Sequence, residues 1–323
     1  MKNKVVVSAP GKLMLFGEHA VIYGKPCIVT AVNQRIETVI EKTQGEFIKL
    51  SALDVNLKSF KAKYSTDLGK LPKGAKFVFA SIKNFYKKFN VSSGLRIRTK
   101  SDFSSKFGFG SSSAVTVCVI RGLAEMFDIK LSYKQVFSLS YKTILDVQGV
   151  GSGFDLAAAI WGGTLYFVSG GKKIMPIKVD NLPLVVGYTG IKADTASLVR
   201  KVEGLYKNNQ KILDGVFESI AHIVKGAKKL ILTHDYQRLG TLMDFNQGYL
   251  EVLGVNTKEL SSLIFAARES GAFGAKLSGA GGGDCMIAFC PDSKKRKVQD
   301  AIKKSGGIVM QIQSNAPGVK IEK

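Results

Sequence analysis

The chain has 323 residues, 45% apolar and 22% charged, enough apolar material for one or two packed domains and too evenly patterned for a disordered chain. No apolar run approaches the roughly 20 residues of a membrane helix, the opening MKNKVVVSAPGK does not read as a signal peptide, and four cysteines without a CxxC pair fit a reducing cytoplasm better than a disulfide framework or a zinc site. The net charge of +22 points to polyanionic partners, but only eight of the 47 basic residues are arginine, the residue suited to bidentate recognition of bases and phosphates, so diffuse surface charge is the better reading and a nucleic-acid partner the poorer one.

In chain order, residues 4–9 (KVVVSA) read as a strand, and 27–43 contains two β-branched, strand-like runs. Between them lies APGKLMLFGEHAVIYG, 9–24, where Lys12 follows a Pro-Gly turn and a Gly-Glu-His turn carries Glu18 and His19. Residues 46–67 read as further strands with a lysine-rich excursion. Helical spacing over 75–90 puts Phe79, Ile82, Phe85 and Tyr86 on one face, and 94–102 alternates as a strand. KFGFGSSSAVTVCVI, 106–120, places two glycines and three serines directly before an apolar helix that runs through Met126. Gly108 and Gly110 let successive N–H groups face one point, and a helix starting at Ser112 or Ser113 aims its free amides and dipole at the same point. Such a site suits phosphate; an ordinary loop with a serine cap is the plain alternative.

A helix over 132–145 starts with Ser132 as N-cap. After GGTLYFVSGGKK (162–173), LPLVVGYTG (182–190) reads as a strand, followed by two or three amphipathic helices between 195 and 253. A helix at 256–271, a strand at 284–290, a helix at 292–305 and a strand at 307–313 complete the α+β pattern, with a domain boundary near residue 178 (1–178 and 179–323). KLSGAGGGDCMIAF, 276–289, is a glycine run entering a strand, a form that also serves as a plain tight connection.

The three glycine-rich stretches, in this order, resemble the three motifs of the GHMP small-molecule kinases, most closely the archaeal type of the mevalonate kinase family. APGKLMLFGEHAVIYGKP is similar to the first motif, FGFGSSSAV to the second and KLSGAGGGDCMIA to the third. GYTGIKADTASLV (187–199) and MDFNQGYLEVLGVNTKELSSLIFAAR (243–268) add to the likeness, which covers almost the whole chain. The resemblance implies an N-terminal ribosomal-protein-S5-like domain and a C-terminal ferredoxin-like domain. It implies transfer of the γ-phosphoryl group of ATP, with Mg²⁺, to the C5 hydroxyl of mevalonate, and it admits a homodimer.

Residue by residue, the resemblance makes Asp155 the catalytic aspartate, accepting or orienting the hydroxyl, although Asp155 also suits a helix N-cap. Lys12 matches the first-motif lysine that pairs with it. Gly108, Gly110, Ser111, Ser112 and Ser113 match the phosphate loop, with Ser112 the Mg²⁺ ligand, and Gly279, Ala280, Gly281 and Gly282 match its third wall. Glu18, His19 and Thr195 match residues on the acceptor side; Thr195 also suits a helix N-cap.

Several positions depart from the pattern. Lys106 replaces a usual glycine, as an added phosphate contact or a solvated residue, and Asp284 stands where a fourth glycine is common. Animal-type relatives carry a metal-binding glutamate eleven residues before the aspartate, where this chain has Ile144. Asp146 is the nearest substitute, turned about 200° around the helix. GSGFDLAAAIWGG is closer to phosphomevalonate kinases, so phosphorylation of 5-phosphomevalonate is the alternative. An RNA-binding protein without catalysis is a third reading, disfavoured by the presence of both Lys12 and Asp155.

Overall fold

The computed structural model describes residues 2–104, 107–207 and 209–322, which build two sheets. The first takes β1 (Lys4–Phe16), β2 (Pro26–Thr43), β3 (Phe47–Ala52), β4 (Leu57–Lys63), β5 (Gly94–Ser101), β6 (Thr164–Val168) and β7 (Lys173–Ile177). The sequence predicts a strand that ends before Pro10, yet β1 continues through the Pro-Gly pair. A register shift between Pro10 and Gly11 accommodates the missing proline donor, so Lys12 lies inside a paired strand rather than in a loop. The two runs within 27–43 are likewise one strand. Its first part pairs with β6 and its second with β5, while β1 spans both. β3 joins β5 in parallel, and β4 forms the lysine-bearing edge.

Four helices belong to this first unit: α1 (Lys76–Phe89), α2 (Ser111–Met126), α3 (Tyr133–Gln148) and α4 (Phe154–Trp161). Phe79, Ile82, Phe85 and Tyr86, the face read from the spacing, are all buried in α1. α3 starts where expected: Ser132 and Gln135 form a reciprocal capping box. α2 packs on β1 and β2 and is flanked by α1 and α3, which explains an apolar run too continuous to show a strong period.

The second sheet has β8 (Leu184–Tyr188), β9 (Gly274–Ser278), β10 (Cys285–Phe289) and β11 (Ile308–Met310), all antiparallel in the order β11-β8-β10-β9. Between β8 and β9 the chain forms α5 (Thr195–Tyr206), α6 (Gln210–Leu232), α7 (Tyr236–Val252) and α8 (Lys258–Glu269); α9 (Lys295–Lys304) separates β10 from β11. Strand order 4-1-3-2 within a β-α-β-β-α-β succession is the ferredoxin-like arrangement, here with four helices in the first crossover. β11 is shorter than the 307–313 predicted, because the chain leaves the sheet to cross back towards the first unit. There β12 (Lys320–Glu322) pairs with β1. All four cysteines are buried and free.

Candidate active site

Main-chain pairing sets the position of Lys12. Its amide donates to the carbonyl of Phe109 at 3.0 Å, and its Nζ donates to the carbonyl of Gly108 at 2.8 Å. The first-motif lysine is therefore bonded directly to the second-motif loop. That loop is anchored by its phenylalanines: Phe107 meets the Tyr188 ring edge-on at 4.9 Å, and Phe109 packs on Phe103 at 5.6 Å. Its glycines lie against the polar side. A β-carbon at Gly110 would come within 3.3 Å of Lys12 and 3.4 Å of Asp155 Cβ, and one at Gly108 would press on the Asp284 carboxylate. Both glycines have φ above +70°, so neither position accepts a side chain easily. The alternation Phe-Gly-Phe-Gly thus fastens the loop with every second residue and keeps the others bare.

α2 starts at Ser111, one or two residues earlier than predicted, with Gly110 as an N-cap that offers no side chain. Ser113 and Ala114 amides bond back to the Gly110 carbonyl, whereas those of Ser111 and Ser112 have no backbone acceptor among the described residues. The helix therefore presents two open donors and its positive dipole end beside Lys12 and Asp155. Ser113 is buried, with a hydroxyl that has no partner among the described residues. Lys106 lies outside the described residues.

Asp155 is the second residue of α4, whose N-cap is Gly153; it does not cap the helix. Among the described residues the carboxylate accepts the neighbouring Leu156 amide, at 3.2 Å, and it stays partly open. No ion pair within 4 Å joins Lys12 and Asp155 among the described residues; both border the space that a β-carbon at Gly110 would fill. Burial pushes the Lys12 ammonium towards a lower pKa, and Asp155 and then Asp284 oppose it.

Glu18 and His19 are turned inward. Glu18 forms a wholly buried ion pair with Lys276 in the middle of β9. Burial drives the Glu18 pKa up and that of Lys276 down, each charge resisting the shift of the other. His19, with φ 58°, puts Nε2 at 2.9 Å from the Ala280 carbonyl. A carbonyl only accepts, so Nε2 carries the proton, and burial, lowering the ring's pKa, favours that neutral form. Further buried bonds join the first and third motifs: Ser278 Oγ accepts from Met14 N–H at 3.2 Å and donates to the Met14 carbonyl at 2.9 Å.

Three residues of this junction lie in stretches that carry the resemblance, yet nothing local in the sequence gives their partners. Asn246 accepts from the Gly17 amide and, with Lys276, holds the turn that bears Glu18 and His19, while Gln247 accepts from the Leu277 amide of β9 at 3.0 Å. Asn246 and Gln247 occur in a stretch that carries the resemblance, but polar residues on an amphipathic helix read as solvent-facing until their distant partners are known.

In the third motif, Gly281 backs onto the Val255 carbonyl and Gly282 onto Leu198, whereas the β-carbon direction of Gly279 is open. Thr195 is exposed at the first position of α5, whose N-cap is Asp194, bonded to Ala196 N–H and Ser197 Oγ. Asp146 lies apart from this cluster in its bonding: its carboxylate takes both Lys142 Nζ at 2.7 Å and Asn84 Nδ2 at 2.8 Å. No group of three His, Cys, Asp or Glu side chains that could hold a metal occurs among the described residues. None of the described helices is long and apolar enough to cross a membrane.

Residues 76–163 match the family described as GHMP kinases N terminal domain, and 227–308 match GHMP kinases C terminal. A mevalonate kinase of Thermococcus sibiricus is 37% identical over 99% of this chain and 98% of its own length. One of Pyrococcus abyssi is 37% identical over 100% and 99%. The crystal structure of the Methanococcus jannaschii mevalonate kinase superposes with a TM-score of 0.83 at 26% identity, covering 96% of this chain and 98% of that one. With likeness over its full length, in both domains and in the order of all three motifs, the chain belongs to the GHMP kinase superfamily and, within it, to the mevalonate kinases.

Proposed function

We propose that the chain transfers the γ-phosphoryl group of ATP to the C5 hydroxyl of (R)-mevalonate, giving 5-phosphomevalonate and ADP in the mevalonate pathway of isoprenoid synthesis. The observation that carries this reading is the meeting of Lys12, Asp155 and the bare Gly110 beside an uncapped helix start. In it, the triphosphate lies along residues 108–113, accepting from the Ser111 and Ser112 amides, with Gly279 to Gly282 as the opposite wall. Asp155 accepts the acceptor's hydroxyl proton as the new P–O bond forms, or orients that oxygen for in-line attack if the transition state is loose. Lys12, fixed by the Gly108 carbonyl, balances the charge that builds on the oxygens in flight.

The donor set suits a Mg²⁺ held chiefly by triphosphate and water, with Ser112 Oγ as the protein oxygen. Such an ion would supply positive charge that offsets that of the phosphates. The bonds of Asp146 to Lys142 and Asn84 argue against its serving as the cation's carboxylate. We assign Glu18 and His19 to holding the first motif against the third, and Thr195, exposed at the α5 start, to the acceptor side. The division near residue 178 and a reducing cytoplasm belong to the same reading, with residues 314–322 returned to the first domain.

The test is ATP turnover with Mg²⁺ on mevalonate and, separately, on 5-phosphomevalonate. The expected result is turnover on mevalonate alone, with kcat lowered about 10²- to 10⁴-fold in Asp155→Asn and Asp155→Ala. Turnover on the phosphorylated acceptor alone would mean that GSGFDLAAAIWGG, not the first motif, reports the substrate.

A further inference from the structure

Asp284 stands just before β10, where the resembling motif commonly carries glycine, and no step above uses it. Its φ of 54° is glycine-like, though aspartate tolerates this region better than most residues. The side chain is 7% exposed. Oδ1 accepts from the Ala193 amide at 3.1 Å and faces Lys192 Nζ at 3.4 Å. Oδ2 turns to Gly108, where a β-carbon would approach it to 2.7 Å. On the main chain, Thr189 N–H donates to the Asp284 carbonyl at 3.0 Å, and Asp284 N–H donates to Ile191 at 2.7 Å. One residue thus joins segment 189–193, the phosphate loop and the third motif.

Its charge is what needs explaining. An unmatched carboxylate packed on Gly108 would repel a triphosphate a few Å away, enough to weaken binding about tenfold. Lys192 is the cation paired with Asp284, and with 45% of its side chain exposed it is able to turn towards an incoming anion. Lys12, the other cation of the cluster, is committed to the Gly108 carbonyl. Two lysines therefore stand against Asp155 and Asp284, and the group is neutral before any phosphate arrives.

We propose that Asp284 is a positioning residue that fixes the phosphate loop against segment 189–193, and that Lys192 is the counter-cation that makes this carboxylate compatible with bound ATP. The proposal rests on the phosphate site assigned above. A double-mutant cycle on the full chain tests it, with ATP binding followed by calorimetry and KM for ATP and mevalonate measured alongside. Lys192→Met should weaken ATP about tenfold, by exposing Asp284, and leave the mevalonate KM in place. Asp284→Asn keeps an acceptor for Ala193 and removes the charge, so ATP should bind as tightly as in the wild type or a few-fold more so. The double variant should return to within about twofold of wild type, and all differences should shrink with added salt. A purely structural Asp284 gives another pattern: Asp284→Asn weakens binding, Lys192→Met changes nothing and the effects add. Additivity, or unchanged ATP binding by Lys192→Met, overturns the proposal. If the wild type binds ATP but leaves mevalonate untouched, the acceptor assignment falls and calorimetry still decides the cycle; a wild type that binds no nucleotide overturns both.

Discussion

Lys12 holds its charge under opposed influences: burial favours the neutral amine, Asp155 and Asp284 favour the cation, Lys192 works with burial, and Cys285 weakly supports the cation. Since burial comes first, the proton leaves below the ordinary value of 10.5. Activity that needs the cation should fall on the alkaline side with an apparent pKa below 10.5, and Lys12→Met should remove that limb along with about 10²- to 10³-fold of kcat. Asp284→Asn removes a charge that supports the cation, so a pH–rate profile should show the limb moved to lower pH; a limb left in place would mean that Asp284 is screened from Lys12. For folding the sign is the reverse of the usual lysine case, in which a partner raises the pKa, and the same as that of a carboxylate with a depressed pKa. The folded state binds the Lys12 proton less tightly than the unfolded one, so this residue's contribution to stability rises with pH from the depressed pKa up to 10.5. At this scale the sequence was readable where chemistry restricts the residue type. A lysine among apolar residues, a serine run before a helix and an aspartate amid glycines all stood out. Asn246, Gln247 and Lys276 did not, because Asn246 and Lys276 meet partners 229 and 258 positions away and Gln247 one 30 positions away, none of which a local pattern shows.

Among the elements, β9 has the least expected content: a lysine with no exposure at the centre of a wholly buried strand. Lys276 is tolerable there only because Glu18 meets it. Lys276→Met should therefore cost about 3–5 kcal/mol in urea unfolding by leaving Glu18 unpaired, and adding Glu18→Gln should recover a large part of that loss. No recovery in the double variant would show that the lysine stem, not the charge, supports the strand. Helix spans followed from periodicity and capping; α1, α2 and α3 lie within a few residues of their predicted limits. Short strands were less legible. β7 and β9 are five residues each, too short for alternation to emerge, and β12 is three. β1 was cut short because Pro-Gly reads locally as a turn, and only the pairing with β2 shows that a bulge resolves it.

Across the whole molecule, the return of the chain from the second unit is fastened by backbone pairings with the first and by one side chain that gathers four bonds. The Arg35 guanidinium donates to the carbonyls of Pro317 and Gly318 at 2.8 and 2.9 Å, and to Ser8 Oγ and the Ser8 carbonyl at 2.8 and 3.0 Å. Arg35→Ala should cost about 2–4 kcal/mol, and amide exchange should quicken in 314–322 and along the outer edge of β1 while α8 and α9 keep their protection. Uniform loss of protection would instead assign Arg35 to the global core. The surplus of positive charge has a structural use of its own: Lys58, Lys61 and Lys63 lie on β4, the exposed edge of the first sheet, where lysines discourage pairing with another chain.

The opposite edge of that sheet is covered by β12, which seals β1 through contacts such as Ser8 with Glu322, 314 positions apart. During synthesis, the outer side of β1 at Val6–Ser8 stays unpaired until residues 320–322 have emerged. Closure between residues so far apart in the chain is slow, and an unpaired strand edge is open to wrong pairing until it occurs. The order of manufacture, as much as the finished fold, thus sets when this catalyst first comes into being.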